Sequence, residues 1–241
     1  MLISVVVPAF NEEKLLPETL RQIKAACAAF APHGWFYELV VCDNNSSDRT
    51  AEVARAEGAK VVFEPVNQIA RARNTGAKAA AGEWLIFVDA DSHPSRELLA
   101  AVAREIQGGR CLAGGSTVSL ATNARFALLG VRLWNWLSRT FKWVAGSFIF
   151  CEAGVFRELG GFNETLFASE EIEFSKRLKP LARRRRRAVV ILTDHPLVTS
   201  GRKLHLYTAR EFGQFFRRAI FSHGKSLTRR DSCALWYDGR R

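Results

Sequence analysis

The sequence predicts an α/β chain, with a mostly parallel sheet flanked by helices. Short apolar runs rich in β-branched residues alternate with segments of helical period from residue 3 to residue 107. These runs show no polar alternation, which is the pattern of parallel strands buried on both faces. Acids gather where three of the runs end, and open parallel sheets bind ligands outside the carboxyl ends of their strands.

Residues 3–7 (ISVVV) form the first expected strand, and residues 12–30 show helical spacing at Leu15, Leu16, Leu20 and Ile23. Residues 38–42 (ELVVC) are a second buried strand, 48–57 a short helix, 60–64 (KVVFE) a third strand, and 69–81 an Ala-rich helix. Residues 84–88 (WLIFV) are a fourth strand, and 95–107 a helix with Ser95 as N-cap. After Gly109 the rhythm breaks down. Residues 112–120 and 148–151 read as strands, and 126–143 as an amphipathic to apolar stretch with Trp134, Trp136, Phe141 and Trp143 close together. Residues 170–178 read as a helix, 189–192 as a late strand, and 209–221 as a closing amphipathic helix with Phe212, Phe215, Phe216 and Ile220 near one face.

The length of 241 residues suits one domain with a short appendage. Five cysteines, an odd number without a CxxC spacing, argue against a disulfide framework or structural zinc and fit a reducing compartment. Residues 1–7 carry no signal-peptide pattern, and Pro8 ends the first apolar run too early for a membrane span. The net charge of +11 is unevenly placed: from Phe174 onward 18 Lys/Arg face 4 Asp/Glu, whereas residues 1–173 are mildly acidic. Eight of the twelve residues 176–187 are Lys or Arg. Such an end asks for an anionic partner, a membrane surface or a nucleic acid, or is a solvated basic face. No recognition-helix, RRM or zinc-finger pattern supports nucleic acid. The aromatics of 134–143 read as core, as an acceptor pocket or as a membrane contact.

Three polar clusters follow the strands: Pro8-Ala9-Phe10-Asn11-Glu12, then Asp43 through Thr50, then Asp89-Ala90-Asp91. GxGxxG after the first strand and GxxxxGK[ST] are both missing, so the usual glycine-rich phosphate cradles do not apply. Paired carboxylates can instead hold Mg²⁺ or Mn²⁺, which bridges to a diphosphate. In an extended segment the Asp89-x-Asp91 spacing would project both carboxylates to one side. Each cluster alone has a structural reading: Asp48 as a helix N-cap, Asp43-Asn44-Asn45 as a turn, and Glu170, Glu171 and Glu173 as acids favoured at a helix start.

Together, VVVPAFNEE, VVCDNNSSDRT, ARARNTGAKAAAGEWLIFVDADS and GGFNETLFASEEIEFSKRL resemble family 2 inverting glycosyltransferases over roughly residues 3–203. The resemblance implies a single domain of GT-A type, a Rossmann-like mostly parallel sheet flanked by helices, over residues 1–205. Residues 1–108 would be its nucleotide-sugar-binding half and 109–205 its acceptor and catalytic half, with 206–241 a basic amphipathic helix and tail. It places Pro8, Asn11, Glu12, Asp43 and Asp48 around the nucleoside, Arg71 and Asn74 near the nucleotide, and Gly76 at a close helix–strand contact. It makes Asp89 and Asp91 the metal-binding DxD, with Asp91 the more direct ligand of Mn²⁺ or Mg²⁺. Glu171 stands at the position of the catalytic base, within a Glu170-Glu171 pair where the family has Glu-Asp, so Glu170 stays a candidate. Arg202 resembles a cation that closes over the diphosphate. The implied partners are a nucleoside-diphosphate sugar and a glycan, lipid-linked or small-molecule acceptor, in the cytoplasm or at the inner face of the cell membrane, with no nucleic acid. The competing reading is a basic nucleic-acid- or membrane-binding protein that keeps this fold without catalysis.

Overall fold

The computed structural model describes residues 1–120, 125–144, 146–200 and 224–233, together with Glu211, Gly213, Gln214, Arg217, Arg218, Ser222 and Tyr237. Arg202 and most of the expected closing helix, with Phe212, Phe215, Phe216 and Ile220, lie outside the described residues.

The strands are β1 (Leu2–Ala9), β2 (Phe36–Asp43), β3 (Lys60–Phe63), β4 (Trp84–Val88), β5 (Ser92–His93), β6 (Cys111–Leu120), β7 (Phe148–Glu152) and β8 (Ala188–Thr199). Among the described residues they form one 8-stranded sheet in the order β3-β2-β1-β4-β7-β6-β8-β5. β3, β2, β1 and β4 run parallel, so the carboxyl ends of β1, β2 and β4 share one rim. β7 enters antiparallel between β4 and β6, and β6 pairs parallel with β8.

Helices cover both faces. On one face, α1 (Leu16–Cys27) and α4 (Arg96–Gln107) bury Leu16, Leu20, Ile23, Leu98, Leu99 and Val102 against Ile3, Val5, Val7 and Ile86. On the other, α3 (Ile69–Ala79) and the later α7 (Glu170–Arg184) pack Ala70, Ala77, Phe174 and Leu178 against Val6, Val40, Leu85 and Phe87. The short α2 (Thr50–Ala56) precedes β3. Ser95 caps α4, its hydroxyl accepting from Leu98 N–H at 3.1 Å. Two short elements that show no clear period in the sequence also form, β5 and α6 (Ala153–Glu158).

At Gly76, α3 comes within reach of β1. A Cβ there would sit 2.5 Å from Val6 Cγ1, a branched side chain sealed in the core. Gly76→Ala is therefore expected to destabilise the protein by about 1–3 kcal/mol, as overpacked cores do. An unchanged midpoint of urea unfolding would show that α3 can slide off β1.

α5 (Arg125–Phe141) crosses the end of β6. α7 runs past the expected end at Leu178. Pro180 removes one helical donor, but Leu181 and Ala182 continue the buried face, and that packing outweighs the break. Its last turn therefore takes in Arg183 and Arg184. Arg184 Nη2 meets Glu158 Oε1 at 3.1 Å, Arg185 pairs with the same Glu158, and Arg187 Nη1 meets Glu152 Oε2 at 2.8 Å. Residues 183–187 thus sit about 22 Å, the length of 15 helical residues, from the start of α7. Part of the run's charge is already compensated.

Candidate active site

The loops after β1 and β2 are locked to each other at the rim. Asn11, at a φ of 53°, donates its N–H to Ser46 Oγ at 3.0 Å and accepts from Ser47 N–H at 2.8 Å through Oδ1. Glu12 is buried, and its N–H donates to Thr50 Oγ1 at 2.8 Å. Asp43, buried at the end of β2, accepts from Ser46 N–H at 3.0 Å, and Pro8 pairs with Cys42 one step back. Asp48 Oδ2 accepts from Glu13 N–H at 3.1 Å and Oδ1 from Thr50 N–H at 2.9 Å. Partial burial pushes the Asp48 carboxyl up, but the Thr50 hydroxyl and these N–H groups outweigh it and hold the carboxyl below its ordinary range.

Two residues expected near the nucleotide, Arg71 and Asn74, tie α3 to the segment before α7. Arg71 bridges Glu64 (3.2 Å) and Glu164 (3.0 Å). Asn74 donates to Phe162 O and Glu164 Oε1, each at 2.9 Å, and accepts from Phe162 N–H at 2.9 Å. Gly161 makes room for it: at a φ of +73°, a Cβ there would lie 2.6 Å from Asn74 Oδ1.

The residue that gathers the acids is Arg73, which the sequence reading passes over. Its guanidinium is almost wholly enclosed, above the Phe162 ring at 5.5 Å. Nη1 donates to Glu170 Oε1 at 2.9 Å and Glu171 Oε1 at 2.8 Å, and Nη2 to Asp89 Oδ1 at 2.9 Å. A signal for it exists in the sequence. Ala70, Arg73, Asn74 and Ala77 recur at i, i+3, i+4 and i+7, the buried stripe of α3, whereas Arg71 lies off that stripe.

Three carboxylates around one guanidinium leave an excess of negative charge. Glu170, with a side chain 4% exposed, is the most enclosed of them, against 15% for Glu171 and 29% for Asp89. Burial, then the neighbouring Glu171 carboxylate, raises Glu170 above the ordinary carboxyl range, against the pull of Arg73. Burial opposes the charge on Arg73, and the three acids more than restore it. Glu173 is engaged elsewhere, in a two-pronged pair with Arg177 at 2.7 Å. α7 is preceded by Ser169, whose φ of 64° is unusual for a non-glycine residue and sets the turn that leads into Glu170 and Glu171.

Asp89-Ala90-Asp91 is a turn rather than an extended segment, closed by Ser92 N–H on Asp89 O at 3.1 Å. The two carboxylates therefore have separate settings, Asp89 on Arg73 and Asp91 accepting from Ser200 Oγ at 2.6 Å. Thr19 Oγ1 holds Ala90 O at 2.7 Å from beneath. Asp89 N–H donates to Ser147 O at 3.2 Å, and Ser175 Oγ links Val144 N–H (2.9 Å) to Glu171 O (2.8 Å). The segment after α5 is thus bonded to both sides of the site.

Residues 4–146 match the family described as Glycosyl transferase family 2. The chain belongs to this family. A stretch of 120 residues is 38% identical to the undecaprenyl-phosphate 4-deoxy-4-formamido-L-arabinose transferase of Pseudomonas paraeruginosa, covering 44% of this chain and 33% of that protein. An uncharacterized glycosyltransferase of Mycobacterium tuberculosis is 33% identical over 137 residues, covering 57% of this chain and 54% of its own length. The chain thus spans between a third and about half of the length of these curated relatives. Among solved structures, Staphylococcus aureus TarS 1–349 in complex with UDP superposes with a TM-score of 0.62 at 22% identity, over 95% of this chain and 70% of that one. M. tuberculosis glucosyl-3-phosphoglycerate synthase, in complex with Mn²⁺, UDP-glucose and phosphoglyceric acid, does so at 0.59 and 19% identity, over 94% and 79%. These superpositions bear on the fold, which is of the expected GT-A type. In this family 2 chain the acids from β4 and α7 converge on an arginine from α3 at the rim formed by β1, β2 and β4.

Proposed function

We propose that this chain is a metal-dependent inverting glycosyltransferase that moves a sugar from a nucleoside-diphosphate sugar to an acceptor hydroxyl or phosphate. The observation that carries the reading is Arg73, a buried cation that gathers Asp89, Glu170 and Glu171 beside the interlocked loops of Asn11 and Asp48. Those loops, with Pro8, Glu12 and Asp43, are the proposed nucleoside pocket.

Glu171 is the proposed base. It is the more open member of its pair, and Arg73 holds one carboxylate oxygen so that the other is oriented. As the acceptor oxygen attacks the anomeric carbon, Glu171 takes its proton. The bond to the leaving oxygen breaks with its electron pair, and the diphosphate departs from the opposite face. Glu170, enclosed and held by Arg73, is a positioning residue.

The residues fit a divalent metal of the Mn²⁺ or Mg²⁺ kind. Asp91, backed by Asp89, offers hard carboxylate oxygen at the rim, and such ions commonly take one or two carboxylates with the rest of their shell from phosphate. Among the described residues no group of three or more His, Cys, Asp or Glu is placed to hold a metal. When bound, it would neutralise charge growing on the leaving group. Arg202, outside the described residues, is proposed to assist from the C-terminal side.

The acceptor is proposed to be lipid-linked and the chain to attach peripherally to an anionic membrane. Support comes from the excess of basic residues and from the lipid-phosphate acceptor named for the Pseudomonas relative. No helix among the described residues is long and apolar enough to cross a membrane.

A thermal-shift panel tests the donor site. Nucleoside diphosphates, UDP among them, are expected to raise the melting temperature with Mn²⁺ present, and at 100 times Kd a ligand adds about 2.7 kcal/mol. Asp91→Asn is expected to abolish the Mn²⁺-dependent part while melting alone within about 2 °C of the parent. A full Mn²⁺-dependent shift in Asp91→Asn would remove that residue from the metal site.

A further inference from the structure

α5 buries Ala127 and Ser138 and half-buries Val131, Trp134 and Asn135, so its inward side is mixed while its largest apolar side chains point out. Asn135 faces β6, accepting from Val118 N–H at 3.0 Å and donating to Val118 O at 2.9 Å. Ser138 is buried and donates to Trp143 O at 2.9 Å. The outward side carries Leu129, 66% exposed, with Leu133 at 58% and Trp136 at 53%, one stripe at i, i+4 and i+7. Leu128 and Phe141 flank it, also exposed. A helix side that faces only water ordinarily carries polar residues in place of such a stripe.

Charge on this side is of one sign. Arg132 and Arg139 are exposed beside the stripe and Lys142 just past the end of α5, and the chain has no Asp or Glu between Glu105 and Glu152. Leu and Trp on a helix surface with Arg and Lys at its margin, and no acids, match a helix lying in the headgroup region of an anionic bilayer. A second copy of the chain is the poorer occupant, because a two-fold contact through this face would bring Arg132 and Arg139 towards their own counterparts. A nucleic acid would leave the leucines without a partner.

The placement gives the face a consequence. α5 is pinned to the end of β6, and β6 and β5 both pair with β8 beside Asp91. The segment that follows α5 bonds to Asp89 through Ser147 and to the catalytic helix through Val144. Residues 183–187, the more basic run, lie at the other end of α7.

We propose that the Leu129–Leu133–Trp136 face of α5, with Arg132, Arg139 and Lys142, is the membrane-docking surface of this protein and seats the active-site rim at an anionic bilayer. The proposal rests on the glycosyltransferase reading for its purpose, but its test does not use that reaction.

Flotation with vesicles of phosphatidylglycerol and phosphatidylcholine is compared with phosphatidylcholine alone, at low salt and without nucleotide. The parent chain is expected to float with the mixed vesicles only. Leu129→Gln/Leu133→Gln should lower the bound-to-free ratio at least tenfold. Arg132→Gln/Arg139→Gln should lower it by about fivefold for each cation removed from the surface. Arg184→Gln/Arg185→Gln should change it less than twofold. All four side chains altered in the two α5 variants are exposed, and an unchanged nucleoside-diphosphate thermal shift would show that the site still folds. Absence of flotation by the parent, retention by either α5 variant, or an equal loss in Arg184→Gln/Arg185→Gln overturns the proposal. So does a parent dimer that becomes monomeric in Leu129→Gln/Leu133→Gln while flotation persists, since the face then belongs to a second copy. A chain that floats as expected but shifts with no nucleotide would defeat the donor-site reading and leave α5 standing.

Discussion

Glu171→Gln is expected to lower the rate of sugar transfer by about two to four orders of magnitude, the usual worth of a positioned general base. An amide keeps the shape and can still accept from Arg73 Nη1, now at 2.8 Å, so the fold should persist. It cannot take the acceptor proton. Donor affinity should stay within about twofold, because the proposed nucleotide contacts lie on the loops of Asn11, Asp43 and Asp48. Glu170→Gln is the comparison. Its side chain is only 4% exposed, held by Arg73 and lying near Cys233 and Tyr237, so it is the less open of the pair. Its effect should fall mainly on stability. The assignments exchange if Glu170→Gln collapses turnover while Glu171→Gln keeps it, as single-turnover rates at saturating donor would show.

Burial on both faces leaves a plain signature, which is why β1, β2 and β4 are legible as apolar runs and β4 matches its expected bounds at Trp84 and Val88, whereas β3 is a half-exposed edge strand. Ser95 announces α4 because a cap is a local interaction between residues three apart. What was not legible depends on partners distant in sequence. β7 slots antiparallel between β4 and β6 through pairings such as Ile86 with Phe150, and a five-residue apolar run does not reveal its direction. α5 reads from its composition as core, acceptor pocket or membrane contact alike; only its packing, with Asn135 bonded to Val118 of β6, shows that Leu129 and Leu133 face outward. The site divides in the same way. Its acids are visible at the strand ends, but the arginine that joins them required the helical phase of α3 to choose Arg73 over Arg71. Ser169 gives no sequence sign of the backbone turn that leads into Glu170 and Glu171.

Arg73→Leu should cost about 3–5 kcal/mol of stability at pH 7.5, the usual loss when one partner of a buried ion cluster is removed. For a chain of this size that corresponds to a fall in melting temperature of about 6–20 °C. The leucine fills much of the space but leaves Asp89, Glu170 and Glu171 facing one another without a cation. Each carboxyl then resists ionisation more strongly than in the unfolded chain. A group whose folded pKa is raised contributes its full stability below the unfolded value, about 4 for these acids, and loses it as pH rises through the folded value. The deficit of Arg73→Leu should therefore be large at pH 7.5 and shrink towards pH 4.5 as the cluster takes up protons. Glu170, raised even in the parent, should be the first to do so. Arg73→Lys should fall between the two, since one ammonium replaces the charge but not the fork that reaches three carboxylates. Urea unfolding of all three proteins at both pH values measures this. An equal deficit at pH 4.5 and 7.5 would mean that Arg73 matters for its packing on Phe162 and not for the charges it holds together.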